Sequence, residues 1–257
     1  MDLASTYQAL GELMKSGEHL SFFQSFFFKF YQAFIESSRW TQYIKGVGTT
    51  LLVTAMALVI GIILGVVVSL IRTAHDQQRP GHHNPVLAVL NLICKIYITV
   101  IRGTPMMVQL LIMGLVIFAN SRNFTMVGAL TLGINSGAYV SEIIRGGLMS
   151  LDPGQAEAGR SLGLNYFQTM RFVVVPQAFK AILPALGNEF IILLKDTSLI
   201  TVIGGKELLY AARGVMNRTY EQMFPLLGTA AIYLVLVIIF SWLLGKLERR
   251  LRQSDRR

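Results

Sequence analysis

The chain has 257 residues, of which 53% are hydrophobic and only 14% charged. A mean hydropathy of +0.53 cannot be hidden in one core of this size, and soluble domains carry roughly a quarter charged residues, so a soluble fold is excluded. The net charge of +9 sits between apolar runs and in the C-terminal tail, which points to membrane loops and anionic lipid and away from nucleic acid. The single cysteine, Cys94, excludes an internal disulfide and offers no metal-site spacing.

From the N-terminus, residues 1–44 read as an extracytoplasmic segment with no removable leader. Leu20–Ile35 holds seven phenylalanines, with Phe23, Phe27, Phe30 and Phe34 on one helical face and Ser21, Gln24, Ser25, Lys29 and Gln32 on the other. That period predicts a helix lying in the membrane interface. Roughly 20 apolar residues span about 30 Å of hydrocarbon, and Gly46–Ile71 supplies 26 without a charge. The loop that follows holds Arg72 and Arg79 and the adjacent pair His82-His83, read as a solvated turn. Pro85–Ile101 reads as the partly interfacial start of the helix that crosses from Gly103.

Residues 103–121 and 123–144 are predicted as the second and third spans, divided by Arg122. Gln109 and Asn135 are neutral polar groups inside them, suited either to packing hydrogen bonds or to substrate contact. Glu142 and Arg145, three apart at the end of the third span, read as a helical ion pair or a gating element. Residues 146–180 are too polar to cross. Asp152-Pro153 predicts a helix start and Gly163 a helix stop near Leu162. Asn165 with Gln168 predicts a second short helix, and Val173-Val174-Val175 before Pro176 predicts a non-helical stretch. The elbow so formed has an apolar face of Leu162, Leu164, Phe167 and Met170.

A fourth span, 181–203, carries Glu189 beside Asn188, with Pro184 and Gly187 just before. A carboxylate within a span is costly and faces a path or a partner. Glu189 therefore lines a substrate path or pairs with Lys195 or a neighbouring protomer. Lys195 and Asp196 pair with each other or reach the headgroups. Lys206–Glu221 reads as an exposed helix, either a lid or a docking platform. Gln222–Gly245 is the fifth span, and residues 251–257 end a basic tail. Lysine and arginine bias places the N-terminus outside and the C-terminus in the cytoplasm.

Glu157-Ala158-Gly159, Gly163 and Val175-Pro176 together resemble the EAA loop of permease subunits of bacterial ABC importers, with Gly159 where the family has alanine. Arg102-Gly103-Thr104-Pro105 with Gln109 resembles a motif of the polar amino acid branch. So do Tyr139–Gly147 and the pair Asn188-Glu189-Phe190 and Lys195–Ser198. The resemblance runs from about Lys45 to Arg250. It implies an all-α integral membrane protein with five transmembrane helices of the type I ABC importer fold in a bacterial cytoplasmic membrane. It implies that Glu157, Ala158, Gly159, Gly163, Leu164, Phe167 and Pro176 dock on a separate ATPase, which holds ATP and magnesium, so that this chain needs no cofactor. It further implies a second permease copy or a homologous permease, an extracytoplasmic amino acid-binding protein, and a polar amino acid as cargo. It makes Arg102, Glu142, Arg145, Lys195 and Asp196 candidates for gating or ion pairing.

No Gly-x-x-x-x-Gly-Lys-Ser/Thr occurs, in keeping with a chain that is no enzyme. An ion-coupled secondary amino acid carrier is the alternative, and it predicts an inverted repeat that the two halves lack. A membrane-embedded enzyme would need catalytic pairs in the spans, yet all four histidines lie outside them.

Overall fold

The computed structural model describes residues 3–78 and 84–254, and every regular element among them is helical. Arg79, His82, His83, Arg256 and Arg257 lie outside the described residues. The helices are α1 (Leu3–Lys15), α2 (Phe22–Phe34), α3 (Trp40–Asp76), α4 (Pro85–Gly103), α5 (Met106–Leu111), α6 (Phe124–Met149), α7 (Pro153–Ser161), α8 (Tyr166–Thr169), α9 (Val175–Asp196), α10 (Leu208–Thr219) and α11 (Met223–Ser254).

Four helical stretches are long and apolar enough to cross a membrane: Trp40–Asp76, Pro85–Gly103, Tyr166–Ile203 and Met223–Leu251. The third expected span is α6, whose 26 residues are also of crossing length. It stays outside that group because Thr131, Gly133, Ser136, Gly137 and Ser141 lower its hydropathy. Those residues are buried, so α6 faces protein where the other helices face lipid.

The α3–α6 seam shows what small residues do where no hydrophobic force brings helices together. A Cβ on Gly61 would stand 2.8 Å from the Ser136 hydroxyl, and one on Gly65 2.5 Å from Val140. In return, Gly133 and Gly137 face Ile60 and Leu64. Both helices ascend together through these contacts, so they run parallel. Gly65→Leu is expected to cost about 2 kcal/mol through overpacking, read as a lower midpoint in thermal denaturation in detergent, with Gly48→Leu, in open space, as the unaffected control.

Two expectations about the crossings are corrected. The second crossing is not one helix through Gly103. It breaks at Thr104 and Pro105, both extended, because proline donates no hydrogen bond and its ring disfavours a helical residue before it. α5 then continues into a widened turn over Ile112–Ile117. The helix that carries the fourth crossing begins well before residue 181. α8, a widened turn at Met170–Val174 and α9 form one helical path from Tyr166, prolonged by tight turns to Ile203. The Val173–Val175 stretch is helical after all. The widened turn gives Pro176 room where a regular turn would clash with its ring.

At the other end, α10 is docked by one face, while Tyr210, Arg213, Asn217 and Arg218 stay exposed on the other. Leu208, Ala212 and Val215 have no exposed area and pack with Tyr43 of α3 and with Ile232 and Tyr233 of α11. The N-terminal hairpin α1–α2 leans on the same end. It touches α11 and α3 through Phe26, Phe30 and Phe34, while Phe23 stays exposed.

Candidate functional site: a polar layer in the bundle and an elbow below it

Half-way along α6, two adjacent residues carry polar groups into two neighbours. The break at Thr104 leaves α4 with unsatisfied carbonyls. Gln109 closes them, donating from Nε2 to the Ile101 and Thr104 carbonyls at 2.7 and 3.1 Å and to the Thr104 hydroxyl at 2.8 Å. Its Oε1 accepts from Asn135 Nδ2 at 3.0 Å. Gln109 and Asn135 thus form the packing hydrogen bond, one of the two roles left open, and their amides hold the broken helix against α6.

One residue on, the fully buried Ser136 hydroxyl donates to Glu189 Oε1 of α9 at 2.7 Å. Glu189 is 6% exposed, and its neighbour Asn188 is exposed. The partner of this carboxylate within the chain is therefore a hydroxyl and not Lys195, one of the alternatives left open. Lys195 is exposed and Asp196 half-buried at the far end of α9.

Toward the loop end, the expected Glu142–Arg145 pair gives way to bonds between helices. Glu142 pairs with Arg72 of α3 and lies 3.8 Å from Arg102 of α4. Arg145 reaches Asp76 at 3.5 Å. The Arg102 guanidinium also stands 5.2 Å over the Tyr139 ring. These contacts cross-link α3, α4 and α6.

The elbow is built from caps. Asp152 accepts from the Gly154 amide at 2.8 Å to start α7, with Pro153 at its first position. Gly163, at φ +82°, ends it. The Gly163 amide donates to the Arg160 carbonyl at 2.9 Å and the Leu164 amide to the Gly159 carbonyl at 3.2 Å. Asn165 and Gln168 then exchange bonds of 2.9 and 3.0 Å that start α8. The two short helices touch where Gly159 meets Thr169. A Cβ at Gly159 would lie 2.8 Å from the threonine methyl, which accounts for glycine here in place of alanine. Glu157, Ala158 and Pro176 are exposed. Leu162 and Phe167 are 82% and 70% exposed, while Leu164 and Met170 are half-buried beneath them. Tyr166 ties the elbow to the end of α3, its hydroxyl 2.6 Å from Gln77.

A third polar centre was missed in the sequence. Glu207, 1% exposed, caps α10 by accepting from the Tyr210 amide at 2.9 Å and from the hydroxyls of Thr201 and Tyr233 at 2.5 Å each. Thr50 of α3 stands 3.5 Å away. The available signal was weak, an acid just before an amphipathic helix, since glutamate is not among the usual capping residues. Glu207→Ala leaves these buried donors unpaired. It is expected to cost about 3 kcal/mol, seen as loss of the folded fraction in detergent, with Glu207→Gln recovering part of it.

Comparison with known proteins places this geometry. Residues 86–253 match the model of the binding-protein-dependent transport system inner membrane component family. The arginine transport system permease protein ArtQ of Bacillus subtilis is 37% identical, the match covering 82% of this chain and 93% of that protein. The glutamine transport system permease protein GlnP of Escherichia coli is 34% identical over 81% and 92%. Among solved structures, a chain of an amino acid ABC transporter crystallised with histidines is 42% identical, with a TM-score of 0.73 and coverage of 82% and 94%. A chain of the inward-facing MetNI methionine ABC transporter shares the fold alone, at 17% identity, a TM-score of 0.70 and coverage of 84% and 99%. The fold is that of ABC transporter membrane subunits and not of a secondary carrier, so the ion-coupled alternative falls away.

Proposed function

Since the chain belongs to the family of inner-membrane components of binding-protein-dependent transport systems, we propose that it forms the membrane path of an ATP-driven importer of polar amino acids. The amino acid cargo rests on the arginine and glutamine permeases and the amino acid transporter that it resembles. A second copy or a homologous permease completes the path. ATP and magnesium stay on separate ATPase subunits, and an extracytoplasmic amino acid-binding protein delivers cargo at the end of the bundle where α10 sits. In this reading the N-terminus is outside and the elbow and C-terminus are in the cytoplasm.

One observation carries the reading. The elbow presents Leu162 and Phe167 almost bare at its tip, on two helices whose starts are both capped and whose angle is set at Gly163. A solvated loop needs neither caps nor an apolar tip. A cleft on an ATPase needs both, because the push must pass through a stiff lever. α8 continues with one widened turn into α9, so movement of the elbow tilts the helix that carries Glu189. Within the path, Glu189 meets the ammonium or side-chain cation of the cargo, and Asn188 opens beside it. Gln109 and Asn135 hold the broken second crossing at the same level. Arg102, Glu142 and Arg145 form the closure at the cytoplasmic end.

The test is assembly. Leu162→Asp with Phe167→Asp places two charges on the tip and is expected to strip the ATPase from the purified complex by about tenfold, the equivalent of roughly 1.4 kcal/mol, while the permease still inserts. An unchanged amount of ATPase would contradict the proposed docking.

A further inference from the structure

Transport as proposed leaves residues 3–38 without a task, yet they are built. Ser21 and Gln24 exchange bonds that fix the start of α2, the Gln24 amide donating to Ser21 Oγ at 3.4 Å and the Ser21 amide to Gln24 Oε1 at 2.9 Å. From there α2 shows three edges. Phe26 and Phe30 set their rings 5.0 and 6.5 Å from Phe224 of α11. Phe34 stands 5.4 Å from Tyr43, and so close over Gly228 that a Cβ there would lie 2.4 Å from its ring. Lys29 holds Glu221 at 3.0 Å. A second edge, Phe28 and Tyr31, stacks on Tyr7 of α1 at 4.7 and 4.6 Å. The third edge is bare: Phe22 and Phe23 are 77% and 82% exposed.

The level of that bare edge is set by its anchors. Phe224 begins α11, and the exposed Met223 and Leu227 beside it open an apolar stripe that continues through Leu234 and Ile238. Trp40 and Ile44 open the matching stripe on α3, which continues through Leu52, Val59 and Ile63. Both stripes are the faces that long apolar helices turn to hydrocarbon. The bare edge thus adjoins the first rung of a lipid-facing surface. α2 also brings no free charge to hold it in water, since Lys29 is its single charged residue and is already paired.

We propose that the α1–α2 hairpin is a lipid-docking arm. Its Phe26–Phe30–Phe34 edge is fastened to α11 and α3, and its Phe22–Phe23 edge is seated at the boundary of headgroups and acyl chains in the leaflet remote from the elbow. A helix of this kind, apolar on one side and low in charge, gains most by lying in that boundary.

Tryptophan fluorescence tests the arm in the intact complex, reconstituted in nanodiscs. Phe23→Trp is introduced with Trp40→Phe and Trp242→Phe, which leaves one reporter in this chain, and its signal is read as the difference from the same complex without Phe23→Trp. Lipid brominated along the acyl chains is expected to quench it about threefold more than aqueous iodide, with blue-shifted emission. Stronger quenching by iodide would put the edge in water and overturn the arm. Shelter from both quenchers would mean that a protein partner, either another permease or the binding protein, covers it, and would overturn the arm equally. Phe22→Trp reports from the adjacent position should the first variant fail to fold.

Discussion

Replacement of Gly163 by valine is expected to leave the complex assembled, inserted and able to hydrolyse ATP, and to stop uptake. Gly163 sits at φ +82° with nothing within 4 Å of where a Cβ would go, so the penalty is conformational and not steric. A β-branched residue held in the left-handed region costs on the order of 1–3 kcal/mol. The chain escapes that cost by swinging α7 away from α8. Both helices keep their own caps, so each survives and only the angle between them changes. In proteoliposomes the solute moved per ATP is expected to fall at least about tenfold, which about 1.4 kcal/mol of misplacement supplies. Gly163→Ala should fall less. An unchanged ratio for the valine variant would remove the elbow from the mechanism.

Glu189→Gln is expected to have the next largest effect. Glutamine fills the same volume and still accepts from Ser136 Oγ, 2.7 Å from Oε1 in the native chain, so packing is retained while the charge is lost. If the carboxylate meets the cargo cation, uptake of the labelled cargo amino acid falls by about tenfold to a hundredfold, the range that 1.5–3 kcal/mol of a charged hydrogen bond covers. Thermal stability in detergent should hold or rise, because a buried charge is replaced by a neutral amide. Stability lost with uptake intact would make Glu189 a structural residue. Ser136→Ala separates the two roles again, since it strips the carboxylate of its hydroxyl partner without changing the charge.

How much of this was legible in the sequence depends on how local each signal is. Gly46–Ile71 and Gln222–Gly245 are uninterrupted apolar runs and reappear as α3 and α11. The elbow was legible almost residue by residue. Caps at Asp152 and Asn165 and the stop at Gly163 act within one helical turn, and all three stand where their chemistry put them.

The failures are of the opposite kind. Val173–Val175 are poor helix formers alone, but a widened turn and the continuity of α8 with α9 override that preference. Glu142 and Arg145 have the spacing of a helical pair, yet Arg72, Arg102 and Asp76 from other helices are nearer in the bundle. The break at Thr104-Pro105 was hidden because the apolar run on either side masks it. The cost of broken backbone in a membrane is met by Gln109 and Asn135, from a turn and a helix away. Glu207 was invisible as a centre because its partners Thr50, Thr201 and Tyr233 come from three parts of the chain.

The central claim is that the path in this chain is moved by an engine on another polypeptide. It is tested most directly by reconstituting the permease in liposomes with and without its ATPase subunits, and following uptake of labelled amino acid against a gradient with the binding protein and ATP supplied. Uphill uptake only when the ATPase is present, and its loss on ATP depletion with ion gradients collapsed in both samples, is the predicted result. Uphill uptake by the permease without the ATPase would contradict it.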